Sequence, residues 1–82
     1  MLKSINYTMQ SLCEVQTNKD FEIIKIDGAQ TPITRRLLEL GFLPGRKIRV
    51  ARKSLSRKTV LVEISGYLLA LRCTVAQAIF VE

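Results

Sequence analysis

The sequence predicts a mostly β domain, a small five-stranded antiparallel barrel carrying one short helix. Three observations point there. Eighty-two residues make one domain with a single core, because a chain of this size buries only about 60% of its unfolded surface. Short β-rich runs (FEIIKID, RKIRV, TVLVEIS, YLLALR and IFVE) recur between the turn signals Asp27-Gly28, Pro44-Gly45 and Gly66. A single window, Thr31 to Leu40, instead has the spacing of an amphipathic helix.

Taken in order, MLKSINYTMQ is read as an N-terminal extension over 1–10, with the barrel domain over 11–82. SLCE then has the form of a capping box, Ser11 and Glu14 each accepting from the other's amide, and predicts a short N-terminal helical turn. That turn buries Leu12 and Val15, and Asn18 suits a left-handed exit. FEIIKID is the first strand, with a β-branched run that fits cover on both faces near its middle. Thr31 is the expected N-cap and Pro32 the first residue of a plug helix over about 32–40. Ile33, Leu37 and Leu40 form its buried stripe, widened by Leu38, with Arg35, Arg36 and Glu39 opposite. Gly41 ends it, and Phe42 folds back on Leu37 as in a Schellman stop. Beyond the Pro44-Gly45 turn, Ile48 and Val50 alternate with basic residues, and Val60, Val62 and Ile64 share one face. Gly66 permits a tight reversal into YLLALR, where Tyr67, Leu69 and Leu71 lie opposite Leu68, Ala70 and Arg72. TVAQA makes a brief helical turn before the closing strand.

Composition narrows the function. The chain has no histidine, the commonest general acid-base group at neutral pH. Its seven acidic residues show no paired spacing, and neither a phosphate-binding glycine loop nor a nucleophile elbow is present. These features argue against an enzyme, and no catalytic, cofactor-binding or metal-ligating residue is expected. Cys13 and Cys73 are expected to be reduced, small buried residues; lacking companion ligands, they do not suggest a closed zinc or iron site. No apolar run approaches the ~20 residues that span a bilayer, and the N-terminus is too polar for a signal peptide. The expected location is the cytoplasm.

Three motifs then carry a resemblance. RRLLELGFLPG, GYLLALR and AQAIFVE resemble, in order and spacing, the FeoA family of bacterial ferrous iron transport proteins. Arg36, Leu37, Leu40, Gly41, Pro44 and Gly45 match the first motif. Gly66, Tyr67, Ala70, Leu71 and Arg72 match the second, and Ala78, Ile79, Val81 and Glu82 the third. The resemblance covers about Ser11 to Glu82 and implies an SH3-like barrel. It also implies a cytosolic accessory or regulatory subunit that binds FeoB, the membrane ferrous iron transporter with an attached G-protein domain. Family members often have Pro-Gly where this chain has Thr17-Asn18, and many have a Gly-Asp-Pro-type loop where it has SLSRKT.

Net charge is +6, and Arg46, Lys47, Arg49, Arg52, Lys53, Arg57 and Lys58 are clustered. Three readings apply: a solvated edge that discourages aggregation, a face toward a partner or an anionic membrane, and a nucleic-acid surface. The last is disfavoured because Phe21, Phe42 and Phe80 look committed to the core, leaving few rings on which bases could stack. A nucleic-acid-binding SH3-like module therefore remains the alternative function, beside a detached sensor-like domain related to iron-dependent repressors. The candidate partner-binding residues are Arg35, Arg36, Arg52, Lys53, Leu55, Arg57, Lys58 and Tyr67. The expected partner is the FeoB-type transporter, with transient contact at the inner face of the membrane and no specific nucleic acid.

Overall fold

The strand Asp20–Ile26 (β2) is where the sheet changes partners. In the computed structural model, which describes residues 9–28 and 31–82, its first half pairs with Lys47–Lys53 (β3), Phe21 lying opposite Ile48. Its second half pairs with Ile79–Val81 (β6), and the register shifts between Ile23 and Lys25. A shift of this kind leaves one residue unpaired and bends the strand, so β2 serves two directions of sheet. Phe21 and Ile23 are buried and Ile24 only half-buried, so β2 is covered on one face rather than on both at its middle.

β3, Thr59–Ile64 (β4) and Tyr67–Arg72 (β5) form an antiparallel meander. Its second hairpin turns on Ser65 and Gly66 alone, with φ of 51° and 83°. Two consecutive positive φ values define a type I′ turn, whose twist matches that of the strands, and glycine takes the more demanding second position. β3 is irregular between Val50 and Arg52, where Ala51 is extra against β4. Leu69 and Leu71 face inward and Leu68, Ala70 and Arg72 outward, following the alternation of the sequence.

The expected five-stranded closed barrel needs correction. Among the described residues the sheet has six strands in the order β1-β6-β2-β3-β4-β5, and it is open, with Gln10–Ser11 (β1) and β5 at its two edges. β1 was hidden in the sequence because its two residues are polar and join the sheet only through backbone pairing with Val81 and Phe80. That pairing also removes the expected N-terminal helical turn. Ser11 belongs to β1, its hydroxyl accepts from the Cys13 amide at 3.3 Å, and one reverse turn closes where the Glu14 amide donates to the Ser11 carbonyl at 2.9 Å. Leu12 and Val15 are nevertheless fully buried, and Asn18 takes the left-handed conformation, with φ of 60°. Residues 1–8 of the expected extension lie outside the described residues.

The helix Pro32–Glu39 (α1) begins at Thr31, whose side chain accepts from the Thr34 amide at 3.2 Å. Thr34 Oγ1 accepts from the Thr31 amide at 2.9 Å, so two of the first turn's orphan donors are satisfied reciprocally. At the other end Gly41 (φ 99°) donates to Leu38 and Phe42 to Leu37, each at 3.0 Å. These are the two hydrogen bonds of a Schellman stop, and Phe42 and Leu37 are both in the core. The buried stripe is narrower than expected. Leu37 is buried and Leu40 half-buried, but Ile33 is 55% and Leu38 47% exposed. The core reaches only the C-terminal half of α1, while Ile33 borders an open cleft shared with Val75 and Ala78. α1 is thus a lid resting on one leucine rather than a plug.

Cys73–Ala76 (α2) is one helical turn joining β5 to β6, and Ala76 is fully buried. Cys13 and Cys73 are not separate reduced residues: they form a disulfide, with Cα atoms 5.6 Å apart. Both are half-buried beside the core, so the expected apolar environment holds while the expected redox state does not. Sixty residues of separation carry no pairing information; Leu12 and Ala76, fixed in the core, bring the two sulfurs together. The bond also removes these cysteines as an argument for a reducing compartment.

Candidate functional site

The β3–β4 hairpin builds the most distinctive surface. Its loop turns where the Arg57 amide donates to the Ser54 carbonyl at 2.9 Å. Ser54 Oγ accepts from the amides of Lys58 and Thr59, each at 3.2 Å, which fixes the loop from inside. Arg57 takes φ of 62°, a left-handed conformation that usually favours glycine or asparagine. Leu55 stands at the tip, 104% exposed, flanked by exposed Arg52, Arg57 and Lys58 and half-buried Lys53. A leucine so placed contributes nothing to the core.

Not every member of the basic cluster is available. Arg49 lies opposite Asp20 and binds its Oδ1 through Nε and Nη2, both at 2.8 Å. Arg46 Nη1 donates to Ser65 Oγ at 2.9 Å. Arg52, Lys53, Arg57 and Lys58 take part in no ion pair among the described residues. Arg72 is in the same position and lies beside them, because β5 ends opposite Thr59 where β4 begins. Arg57, Lys58, Arg72 and Cys73 line one cleft of about 590 Å³. Strand pairing recruits Arg72, which matched a family motif but was not among the candidate partner-binding residues. Its signal was the outward alternation of YLLALR.

The other candidates lie elsewhere. Tyr67 opens β5 at the opposite end of the meander, next to Ile64. Its hydroxyl donates to the Leu40 carbonyl, capping the last turn of α1, and the residue as a whole remains 38% exposed. Arg35 and Arg36 lie on the exposed side of α1, where Arg36 and Glu39 form a solvent-exposed pair at 3.8 Å. In so short a helix Arg36 already falls in the last turn, where the dipole favours a cation. The eight candidates therefore do not converge: five share the hairpin, two the outer face of α1, and one braces the helix end. Ile33, Leu38, Leu43 and Leu68 are also exposed, although the helical spacing had placed Ile33 and Leu38 in the core.

Metal-ligand chemistry is sparse. No group of three or more His, Cys, Asp or Glu side chains converges among the described residues, and no helix there is long and apolar enough to cross a membrane.

Fold and surface together define a small SH3-like β domain with a basic, leucine-tipped hairpin. The FeoA domain family model matches residues 10–82, so the chain belongs to the FeoA family, which is linked to ferrous iron transport. Its fold is similar to that of a FeoA-like protein from Clostridium acetobutylicum, with a TM-score of 0.80 and 26% identity, covering 90% of this chain and 85% of that one. The FeoA protein from Chlorobium tepidum gives a TM-score of 0.80 and 29% identity over 89% of this chain and 69% of its own. The zinc complex of Stenotrophomonas maltophilia FeoA, described as a prokaryotic SH3 domain protein, gives 0.77 and 28% over 87% of each chain. A manganese-dependent transcriptional repressor shares the fold over 36% of its length, with a TM-score of 0.81 and 23% identity. No curated protein matches the sequence.

Proposed function

We propose that this chain is a non-enzymatic accessory subunit of bacterial ferrous iron uptake that binds a FeoB-type transporter at the cytoplasmic face of the membrane. The observation that carries the reading is the hairpin tip. Leu55 is fully solvent-exposed among cations that have no ion-pair partner among the described residues, on a chain of the FeoA family. An exposed leucine ringed by basic side chains suits an apolar contact on an acidic protein face or near anionic lipid headgroups. The Stenotrophomonas relative is described as a proposed activating factor for ferrous iron transport, which supports the same role here. The non-enzymatic reading rests on the lack of histidine and of paired carboxylates in the sequence.

Nucleic-acid binding is the weaker reading. Phe42 and Phe21 are buried, and Phe80 is half-buried with the Lys25 ammonium 5.6 Å from its ring centre. Tyr67, the exposed aromatic ring among the described residues, is tied to Leu40. A stacking platform is not supported. The test is affinity capture of a FeoB-type transporter in native lipid nanodiscs, in the presence of the purified chain. Stoichiometric co-elution is expected, and failure to bind the transporter under any nucleotide condition would sink the proposal.

A further inference from the structure

The Cys13–Cys73 disulfide is half-buried, and its Cys73 end opens onto a defined cleft. Cys73 lines the 590 Å³ cleft together with Arg57, Lys58, Arg72 and the hydroxyl-bearing Ser56, Thr59 and Thr74. The volume is within the range of small-molecule sites, roughly 300–1,000 Å³. Cys13 does not line that cleft, and its chain neighbour is the exposed acid Glu14. Three cations line the approach to Cys73.

We propose that this cleft is a thiol-exchange site, through which small anionic thiols of the glutathione type reach Cys73 and reversibly open the disulfide. The incoming thiolate attacks Cys73 Sγ, a new S–S bond forms there, and the bond to Cys13 breaks. Cys13 leaves as a thiolate and takes a proton from water. A second thiolate then attacks the thiol's own sulfur in the mixed disulfide. That step releases Cys73 as a thiolate and the small molecule as its disulfide, so two electrons pass to the protein. The reverse sequence closes the bond, with the small-molecule disulfide as oxidant. The cations favour an attacking species bearing extra carboxylates over one without them, and hydroxyls in the cleft can donate to those carboxylates.

Opening the bond is a local event in this fold. Leu12, Val15 and Ala76, which flank the two cysteines, are fully buried, and the Leu12 amide donates to the Ile79 carbonyl at 2.8 Å. Packing keeps the two segments near one another after reduction, so the bond can reform. The site makes the fastening between the turn after β1 and α2 responsive to the surrounding thiol pool, and it shares Arg57 and Lys58 with the hairpin surface.

The test compares two thiols on the oxidised full chain. Glutathione reacts as a thiolate of net charge −2 and cysteamine as one of net charge zero, so steering acts on the first alone. Per unit thiolate, glutathione should lose about tenfold in rate between low salt and 0.5 M NaCl while cysteamine barely changes. Acid-quenched samples should carry the glutathione adduct on Cys73 by peptide mass mapping. Lys58→Glu with Arg72→Glu should reproduce the salt effect for glutathione and spare cysteamine. The wild-type salt series stands alone if that variant misfolds. Glutathione reduction that ignores salt, adducts on Cys13, or a chain that glutathione disulfide cannot oxidise would each overturn the proposal.

Discussion

The Tyr67 hydroxyl donates to the Leu40 carbonyl, linking the first residue of β5 to the last turn of α1 across the molecule. Leu40 is the C-cap of α1, and carbonyls at such ends have no partner within the helix. Tyr67→Phe removes the donor and keeps the ring. It should cost about 0.5–1.5 kcal/mol, read as a lower midpoint in urea with an unchanged slope. An unchanged midpoint would mean that water caps Leu40 equally well.

The uneven seating of α1 gives a second prediction. Leu37→Ala should cost about 2–5 kcal/mol, because its side chain is buried against Phe42 and the sheet. Leu38→Ala should change stability by no more than about 0.5 kcal/mol, since that side chain faces water. Thermal unfolding of the two variants side by side checks the seating. Equal losses would show that the whole leucine stripe is buried, as the sequence alone suggested.

The disulfide closes a loop across 60 residues, which in the chain-entropy model stabilises the fold by about 4 kcal/mol. Cys13→Ser with Cys73→Ser should therefore lower stability by up to that amount while unfolding stays cooperative. In hydrogen exchange, protection should fall first at the Leu12 and Glu14 amides and last in β3 and β4. Uniform loss across the sheet would show that the bond supports the whole core rather than one edge.

Nucleic-acid binding supplies a fourth check. A binder that neutralised six phosphates would show a log-log salt slope near roughly −5 on duplex DNA. The chain should bind DNA and RNA weakly, without sequence preference, and release both by physiological salt. Submicromolar affinity at that salt would favour the nucleic-acid reading instead.

Local rules made much of this fold legible. Thr31 and Pro32 at the start of α1, Gly41 and Phe42 at its end, Asn18 in its left-handed turn and the alternation in β3 to β5 each follow from neighbours in sequence. What escaped depends on tertiary placement. Ile33 has helical spacing but no sheet beneath it, and Ser11 caps no helix because β6 claims its backbone. The disulfide needed two distant segments to meet, and Arg72 joined the basic surface only through its pairing with Thr59. Of the candidate site, the charge and exposure of the hairpin were readable, since Ser, Arg and Lys around Leu55 offered it no core. The role of Tyr67 as a helix brace was not, because nothing in GYLLALR indicates Leu40.

The hairpin around Leu55 is proposed to engage the transporter. The most direct measurement reverses Arg52, Lys53, Arg57 and Lys58 to glutamate together, then follows both co-purification with the transporter from membranes and cellular ferrous iron uptake. These side chains carry little of the core, so the variant should keep its β-sheet circular dichroism and cooperative unfolding. The variant should no longer co-purify, and uptake should fall toward the level of a strain lacking the chain. A folded variant that co-purifies normally and supports full uptake would contradict the claim and leave the cluster as a solvated, aggregation-resistant edge.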